Sequence, residues 1–174
     1  MKAAPALGLI FALFVLGGPA YATLTRTDVL VAGRAIGFVE KIGSGEVRVG
    51  IVFTPDSAQS VQEANGLKAI MGNQLRVGNV ALKPVMLTTE QVAAADVGLF
   101  FLTGGIGAAA RKVASVSKER KIPCITFDLP QVRDGACTIG VQSRPKIEVF
   151  VNRKSAAESN TILSSVFRLM VTEY

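Results

Sequence analysis

The chain has 174 residues, of which 49% are hydrophobic and 18% are charged, with 19 basic residues against 13 acidic ones. It contains no histidine, which excludes the usual general base of enzymes and the commonest metal ligand. The basic residues are dispersed in short groups, so the net positive charge indicates a solvated surface and no nucleic-acid partner.

Residues 1 to 22 have the pattern of a cleavable signal peptide. Lys2 precedes an apolar run from Ala6 to Leu16 that is short for a membrane span, and Ala20-Tyr21-Ala22 has the small residues of a cleavage site. A retained membrane anchor is the alternative. The pattern therefore predicts export, most simply to a bacterial periplasm, of a mature domain covering residues 23 to 174 that no longer spans the membrane.

The two cysteines make an even pair. In an oxidising compartment, a disulfide between Cys124 and Cys137 is the default expectation, and two buried free thiols are the alternative. Neither cysteine has histidine or further cysteine ligands, so no metal site is predicted.

Alternating elements dominate the region between the signal peptide and the second cysteine. Apolar runs bounded by turn residues predict strands at Glu46 to Phe53, Ala81 to Leu87, Val97 to Leu102 and Ile125 to Phe127. Helical periodicity and stop signals predict helices over Leu24 to Ile42, from an N-cap at Thr54 with Pro55 to Met71, briefly from Thr88, and over Ala108 to Lys121. The segment from Leu129 to Gly135 is expected to be irregular.

This alternation predicts the fold class. We expect a single α/β domain with a mixed, mainly parallel sheet of five or six strands, helices on both faces, and the uninterrupted apolar strand Val97 to Leu102 at the centre.

The last forty residues predict a β-hairpin followed by a helix. Apolar residues alternate on both sides of Ser143-Arg144-Pro145, and we expect the pairs Val141 with Ile147, Ile139 with Val149, and Cys137 with Val151 at an edge of the sheet. Asn152 is a good N-cap for an amphipathic helix with an apolar stripe of Ile162, Leu163, Val166, Phe167, Leu169 and Met170.

A glycine-rich loop provides the candidate ligand contacts. Gly104-Gly105-Ile106-Gly107 joins a strand to a helix, where backbone N–H groups can hold an anion, although the loop is neither a dinucleotide fingerprint nor a Walker A sequence. A tight structural turn is the alternative. Ligands collect at the carboxyl edge of open α/β sheets, which gives the candidate contacts Thr54, Thr103, Gly104, Gly105, Gly107 and Asp128.

The order of elements and the closing segment resemble the YfiR-like family of exported bacterial proteins. The resemblance covers nearly all of the mature chain and is most specific in Gly135-Ala136-Cys137-Thr138-Ile139-Gly140-Val141, Ile147-Glu148-Val149-Phe150-Val151-Asn152 and Ser164-Ser165-Val166-Phe167-Arg168-Leu169. The family's Trp-Pro after the first helix is replaced by Lys41-Ile42.

The resemblance implies a periplasmic regulator that binds and restrains the periplasmic domain of an inner-membrane signalling protein of the diguanylate cyclase class, in the control of cyclic-di-GMP and biofilm. A periplasmic module that binds a small solute or anion is the alternative function. An enzyme is a third class without support, since no nucleophile set and no cofactor motif is present. The sequence leaves open whether the chain forms a homodimer.

Overall fold

The computed structural model describes residues 24–174, so the predicted signal peptide lies outside the described residues. Helices in this region are α1 (Arg26–Ile36), α2 (Ala58–Met71), α3 (Ala110–Arg120), α4 (Leu129–Arg133), α5 (Arg153–Glu158) and α6 (Ser165–Arg168). Strands are β1 (Gly45–Phe53), β2 (Leu75–Val77), β3 (Val80–Thr88), β4 (Leu99–Leu102), β5 (Cys124–Thr126), β6 (Ile139–Gln142), β7 (Glu148–Val151) and β8 (Thr172–Glu173). No helix of residues 24–174 is long and apolar enough to cross a bilayer.

The strands form one mixed sheet in the order β2-β3-β1-β4-β5-β6-β7-β8. The inner strands β3, β1, β4, β5 and β6 are parallel, whereas β2 and β7 run antiparallel to their neighbours β3 and β6. This arrangement confirms the predicted α/β class and the central position of the third predicted strand. The predicted count of five or six strands was wrong, because β2 and β8 are too short to produce an alternating pattern.

Helices cover both faces of the sheet. One buried cluster joins α1 and α2 to side chains such as Val49, Ile51 and Phe101, and a second joins α3 to Val52 and Phe100. Successive residues of β1 and β4 therefore enter different cores, as expected for strands buried on both faces.

The chain reverses its direction of travel across the sheet at β1. From β1 it crosses through α2 to β3 on one side, and it then returns to β4 on the other side of β1. Because α2 and α3 lie on opposite faces, the connections that leave the carboxyl ends of β1 and β4 diverge. Such a switch point opens a crevice at the carboxyl edge of the sheet.

The disulfide is present and the prediction is confirmed. Cys124 in β5 and Cys137 just before β6 have their Cα atoms 5.0 Å apart, within the range that a disulfide bridges. Both residues are buried in the cluster under α3, and the bond ties two neighbouring strands together.

Several predicted helix boundaries were wrong. Helix α1 ends at Ile36, whereas Ile42 was expected, and α2 begins at Ala58 with Ser57 as its N-cap, while Thr54 was expected to cap it. Turns replace the helix expected after Thr88, where the backbone N–H is accepted by the Gln91 side chain. Local side-chain acceptors explain the start of α2 and the turns after Thr88, since they offer backbone N–H groups an alternative to a helix.

The hairpin register was also wrong, by two residues. Val141 lies opposite Val149, and Ile139 lies opposite Val151, while Ile147 is 62% exposed in the loop. A slip of two residues keeps each side chain on the same face, so the local pattern satisfies both registers. Contacts with α1 hold the loop: the Ser143 hydroxyl donates to the Asp28 carboxylate, and the Arg144 guanidinium lies 3.3 Å from it.

The long helix expected after the hairpin is broken. Asn152 caps α5 as predicted, but the helix ends at Glu158, and Asn160 adopts a positive φ of 52°. The chain then pairs with the segment after α1, where Glu40 N–H donates to Ile162 O at 2.9 Å and Ser164 N–H donates to Phe38 O at 3.0 Å. Tertiary backbone pairing therefore overrides the helical periodicity.

Breaking the helix changes what the predicted apolar stripe does. Leu163 and Phe167 remain buried, but the other stripe residues are exposed: Ile162, Val166, Leu169 and Met170. The short helix α4 is a further correction, because Leu129 to Gly135 was expected to be irregular.

Candidate ligand-binding site

A cavity of about 750 Å³ opens at the carboxyl edge of the sheet, beside the switch point. Its walls are the start of α1, one face of α2, the segments that follow β4 and β5, and the end of β6 with the loop after it. The lining residues are Leu24, Asp28, Gln59, Gln62, Glu63, Gly66, Gly104, Phe127, Asp128, Leu129, Val141, Gln142, Ser143 and Arg144. Apolar and polar groups therefore converge in a space large enough for a small organic molecule.

The α2 wall consists of residues spaced by three and four, which places them on one helix face: Gln59, Gln62, Glu63 and Gly66. Opposite this face, Gly104 leaves room for two of those side chains. A Cβ atom on Gly104 would lie 3.0 Å from Gln59 Nε2 and 3.1 Å from Glu63 Oε2. The absence of a side chain lets the backbone N–H of Gly104 donate to Glu63 Oε2 at 3.0 Å.

Glu63 is a largely buried carboxyl group. Burial raises its pKa above the ordinary value, the nearby charge of Asp128 raises it further, and the hydrogen bond from Gly104 only partly opposes both. Its second oxygen, Oε1, is buried and has no hydrogen-bond partner among the described residues. A buried polar atom in this state is costly unless a group outside the chain satisfies it.

Asp128 follows β5 and is held in place by a small hydrogen-bond network. Its backbone N–H donates to Thr126 Oγ1 at 3.0 Å, and Gln131 Nε2 donates to Asp128 Oδ2 at 3.1 Å. Burial raises the pKa of Asp128, the hydrogen bond from Gln131 opposes the rise, and the charge of Asp134 adds to it. Two carboxyl groups of raised pKa thus face one cavity.

Gln131 positions this edge of the site and was missed by the sequence analysis. Gln131 Nε2, which donates to Asp128, also donates to Thr103 O at 2.9 Å, so Gln131 joins the ends of β4 and β5. Asp128 as N-cap followed by a proline within the first turn is a helix-start signal that would have predicted α4.

The wall formed by the start of α1 and the hairpin loop carries an ion pair. Asp28 receives hydrogen bonds from Ser143 and from Thr25, and Arg144 Nη2 lies 3.3 Å from its Oδ2. Burial by itself would raise the pKa of Asp28, but these hydrogen bonds and the charge of Arg144 outweigh it and lower the pKa. The Thr25 to Asp28 capping box was visible in the sequence, whereas its contacts with the hairpin loop were not.

The predicted contacts divide into two groups. Gly104 and Asp128 line the cavity, whereas Thr54, Thr103, Gly105 and Gly107 are not among the lining residues. The Thr103 hydroxyl is fully buried and donates to Val52 O at 2.9 Å, and the Thr54 N–H donates to Ser60 Oγ at 3.0 Å. Gly105 and Gly107 have φ values of 67° and 59°, which suit the tight turn that was the alternative.

One backbone N–H donor of the glycine loop is already bonded within the protein. The N–H of Gly104, offered in the sequence analysis as an anion contact, donates to the protein's own Glu63 carboxylate. Within residues 24–174, no group of three or more His, Cys, Asp or Glu side chains is placed to hold a metal ion.

No protein-family model matches the chain, and no curated protein matches it. Solved structures do match by shape. A conserved domain protein from Vibrio cholerae aligns at a TM-score of 0.58 and 11% identity, over 85% of this chain and 59% of that one. The likeness establishes the fold.

Two further structures match at 11% identity. One is an ABC domain in complex with L-Trp from Streptococcus pneumoniae, with a TM-score of 0.58 over 85% of this chain and 61% of that one. The other is the ligand-free, open form of a substrate-binding protein with adhesive properties from Clostridium difficile, with a TM-score of 0.54 over 74% of this chain and 54% of that one. The chain thus shares an α/β fold with these structures and spans about three-fifths of their length.

Proposed function

We propose that the protein is a non-enzymatic binding module that holds a small organic molecule in the cavity at the carboxyl edge of its sheet. The main support for this proposal is the cavity itself, which has a volume of about 750 Å³ and lies at the switch point of the strand order. Ligands of open α/β sheets bind at this position because diverging loops leave a crevice there.

The comparisons support this proposal over a purely regulatory role. The structures that share the fold include a substrate-binding protein and a complex with L-Trp. The internal disulfide supports an exported protein, and we propose the periplasm as its compartment.

A thermal-shift screen of amino acids, amines, organic acids and nucleotides tests the proposal. A ligand present at about 100 times its Kd adds about 2.7 kcal/mol to the free energy of unfolding. For a chain of this size, that corresponds to a rise in Tm of roughly 5–11 °C.

A cavity-filling variant supplies the control. Gln62 is exposed and lines the cavity, so Gln62→Trp should obstruct it without disturbing the core. Asn65→Trp places the same side chain at an exposed site of α2 outside the lining. We expect the ligand-induced shift to vanish in the first variant and to persist in the second. A full screen without any shift in the wild type would contradict the proposal.

The second candidate is the regulator of a membrane signalling protein that the YfiR-like resemblance implies. The observation that favours it is the C-terminal apolar segment, in which Val166, Leu169 and Met170 are 65%, 88% and 62% exposed. Exposed apolar groups of this kind commonly contact another protein.

Cyclic-di-GMP and biofilm levels in a gene deletion distinguish this role. If the protein is such a regulator, deleting its gene changes the cyclic-di-GMP and biofilm levels. The wild-type gene should restore both levels, whereas a gene that carries Val166→Ser and Leu169→Ser together should not. Ile147→Ser, at a residue that is 62% exposed in the hairpin loop, is the matched control. An unchanged cyclic-di-GMP level in the deletion would remove this candidate and leave ligand binding.

A further inference from the structure

Resting on the proposed function, we infer that the cavity selects an organic amine: a ligand whose ammonium group binds between Glu63 and Asp128 and whose apolar body packs on Phe127 and Leu129. The cavity and its position define the site, while the charges of its walls define the class of ligand. Both carboxyl groups line the same cavity from different elements, α2 and the segment after β5.

The two carboxyl groups carry negative charge that the surrounding residues do not offset. The groups that act on Glu63 are the N–H of Gly104 and the negative charge of Asp128, and those that act on Asp128 are Gln131 and the negative charge of Asp134. Within residues 24–174, neither carboxyl group forms an ion pair with a basic side chain. An ammonium group would supply the missing positive charge and strong donors for both carboxylates.

The unpartnered oxygen of Glu63 is the second observation. Gly104 occupies Oε2, while Oε1 is buried and lacks a hydrogen-bond partner among the described residues. An ionised carboxylate oxygen accepts hydrogen bonds and cannot donate them, so a donor that meets Oε1 after a rotation of the Glu63 side chain would satisfy it. An ammonium ion carries three such donors, whereas an anionic ligand would meet two like charges.

The charged residues on the wall formed by the start of α1 and the hairpin loop are already paired with each other. Asp28 is bonded to Ser143 and lies 3.3 Å from Arg144. This wall therefore adds little net charge to the cavity, and the carboxyl groups of Glu63 and Asp128 decide which ligand charge is preferred. The apolar lining, which includes Leu24, Phe127 and Leu129, favours a hydrocarbon body over a fully polar one.

The net charge of the whole chain would not attract amines to the protein surface in general. The protein has a formal net charge of +6 at pH 7, so its overall field favours anions. A preference for amines would therefore report the cavity and not the average surface.

Calorimetric titration with two matched probe series tests the inference. Each series varies only the head group: phenethylamine, hydrocinnamate and phenethyl alcohol, then hexylamine, heptanoate and hexanol. We expect the amines to bind more tightly than their acid and alcohol counterparts. The variants Glu63→Gln and Asp128→Asn should each weaken amine binding by about 10- to 100-fold, the range expected for the loss of a charge-assisted hydrogen bond.

Asp56→Asn is the matched control, because Asp56 is exposed after β1 and does not line the cavity. Its amine affinity should equal that of the wild type. Circular dichroism of each variant checks the fold, and the two cavity variants lie on separate elements, so that one suffices if the other misfolds.

The outcomes separate the inference from the proposed function. Acid or alcohol probes that bind as tightly as the amines, with loss of binding in Gln62→Trp, would overturn the amine inference and keep the ligand-binding proposal. If amine binding is unchanged in both Glu63→Gln and Asp128→Asn, the amines do not bind through these carboxyl groups, and the inference is overturned. Failure of all six probes would overturn the inference, whereas the ligand-binding proposal falls only if the broad thermal-shift screen also fails.

Discussion

Replacing Thr103, which precedes the cavity-lining Gly104 in the chain, by valine should weaken the junction of β1, α2 and β4. Thr103 and Ser60 are both fully buried, and their hydroxyl oxygens are 2.6 Å apart. The Thr103 hydroxyl donates its one hydrogen to Val52 O at 2.9 Å, so the Ser60 hydroxyl must donate to Thr103 Oγ1. Ser60 Oγ in turn accepts the backbone N–H of Thr54 at 3.0 Å.

The expected cost follows from these bonds. Valine has nearly the shape of threonine, so the change removes the hydroxyl group without creating a large void. One net hydrogen bond contributes about 1 kcal/mol, and a stranded buried donor at Ser60 costs about 1–3 kcal/mol more. Val52 O still accepts the Thr103 N–H at 3.2 Å, so it is not left without a partner. We expect Thr103→Val to lower the free energy of unfolding by roughly 2–4 kcal/mol.

Urea denaturation measures this loss, and a double-mutant cycle assigns it. Ser60→Ala removes the hydroxyl that Thr103→Val would strand, so the double variant should lose less than the sum of the two single variants, by about 1–2 kcal/mol. Thr172→Val, at an exposed residue, is the control and should stay within about 0.5 kcal/mol of the wild type.

Two results would refute the reasoning. A change smaller than about 0.5 kcal/mol in Thr103→Val would show that the buried hydroxyl pair carries no net stabilisation. Full stability with loss of ligand binding would instead restore Thr103 as a ligand contact, the role that the sequence analysis predicted for it.

Three further predictions concern stability. Reduction of the disulfide between Cys124 and Cys137, 13 residues apart, should cost roughly 3 kcal/mol in the loop-entropy model, measured by urea unfolding with and without reductant; unchanged stability would contradict it. The pKa of Glu63 is raised in the folded protein, so the free energy of unfolding should fall as the pH rises from the ordinary pKa of 4.5 through the pKa of the folded state. Across that pH window, the stability of Glu63→Gln should increase relative to that of the wild type. A stability difference that does not depend on pH would contradict this prediction. Asn152→Ala removes the N-cap of α5 and a bond to a buried carbonyl, and should cost about 1–2 kcal/mol in thermal unfolding; the exposed Asn65→Ala is the control, and equal melting would count against it.

Local composition was sufficient for the fold class. The runs that became β1, β3 and β4 are apolar on both faces, and a strand buried between two helical layers needs that composition wherever it lies. Gly72 ended α2 as predicted, with a positive φ of 58° that suits glycine. The cysteine pairing was also predictable, because only two cysteines were present.

The site depended on contacts that no local pattern contains. Glu63 reads as one more polar residue of a helix surface, and only packing against Gly104 makes it a buried carboxylate. Asp28 and Ser143 are separated by 115 residues, and their bond holds the hairpin loop against α1.

The sequence by itself determined the apolar strands β1, β3, β4 and β5, the positions of α1, α2 and α3, and which cysteines pair, because those features follow from periodicity, turn residues and count. The tertiary structure alone decided the hairpin register, the break after α5 and the convergence of Glu63 with Asp128. The physical reason is that alternation repeats every two residues and cannot distinguish a slip of two, while the pairing of Glu40 and Ser164 with distant backbone groups depends on where α1 is packed.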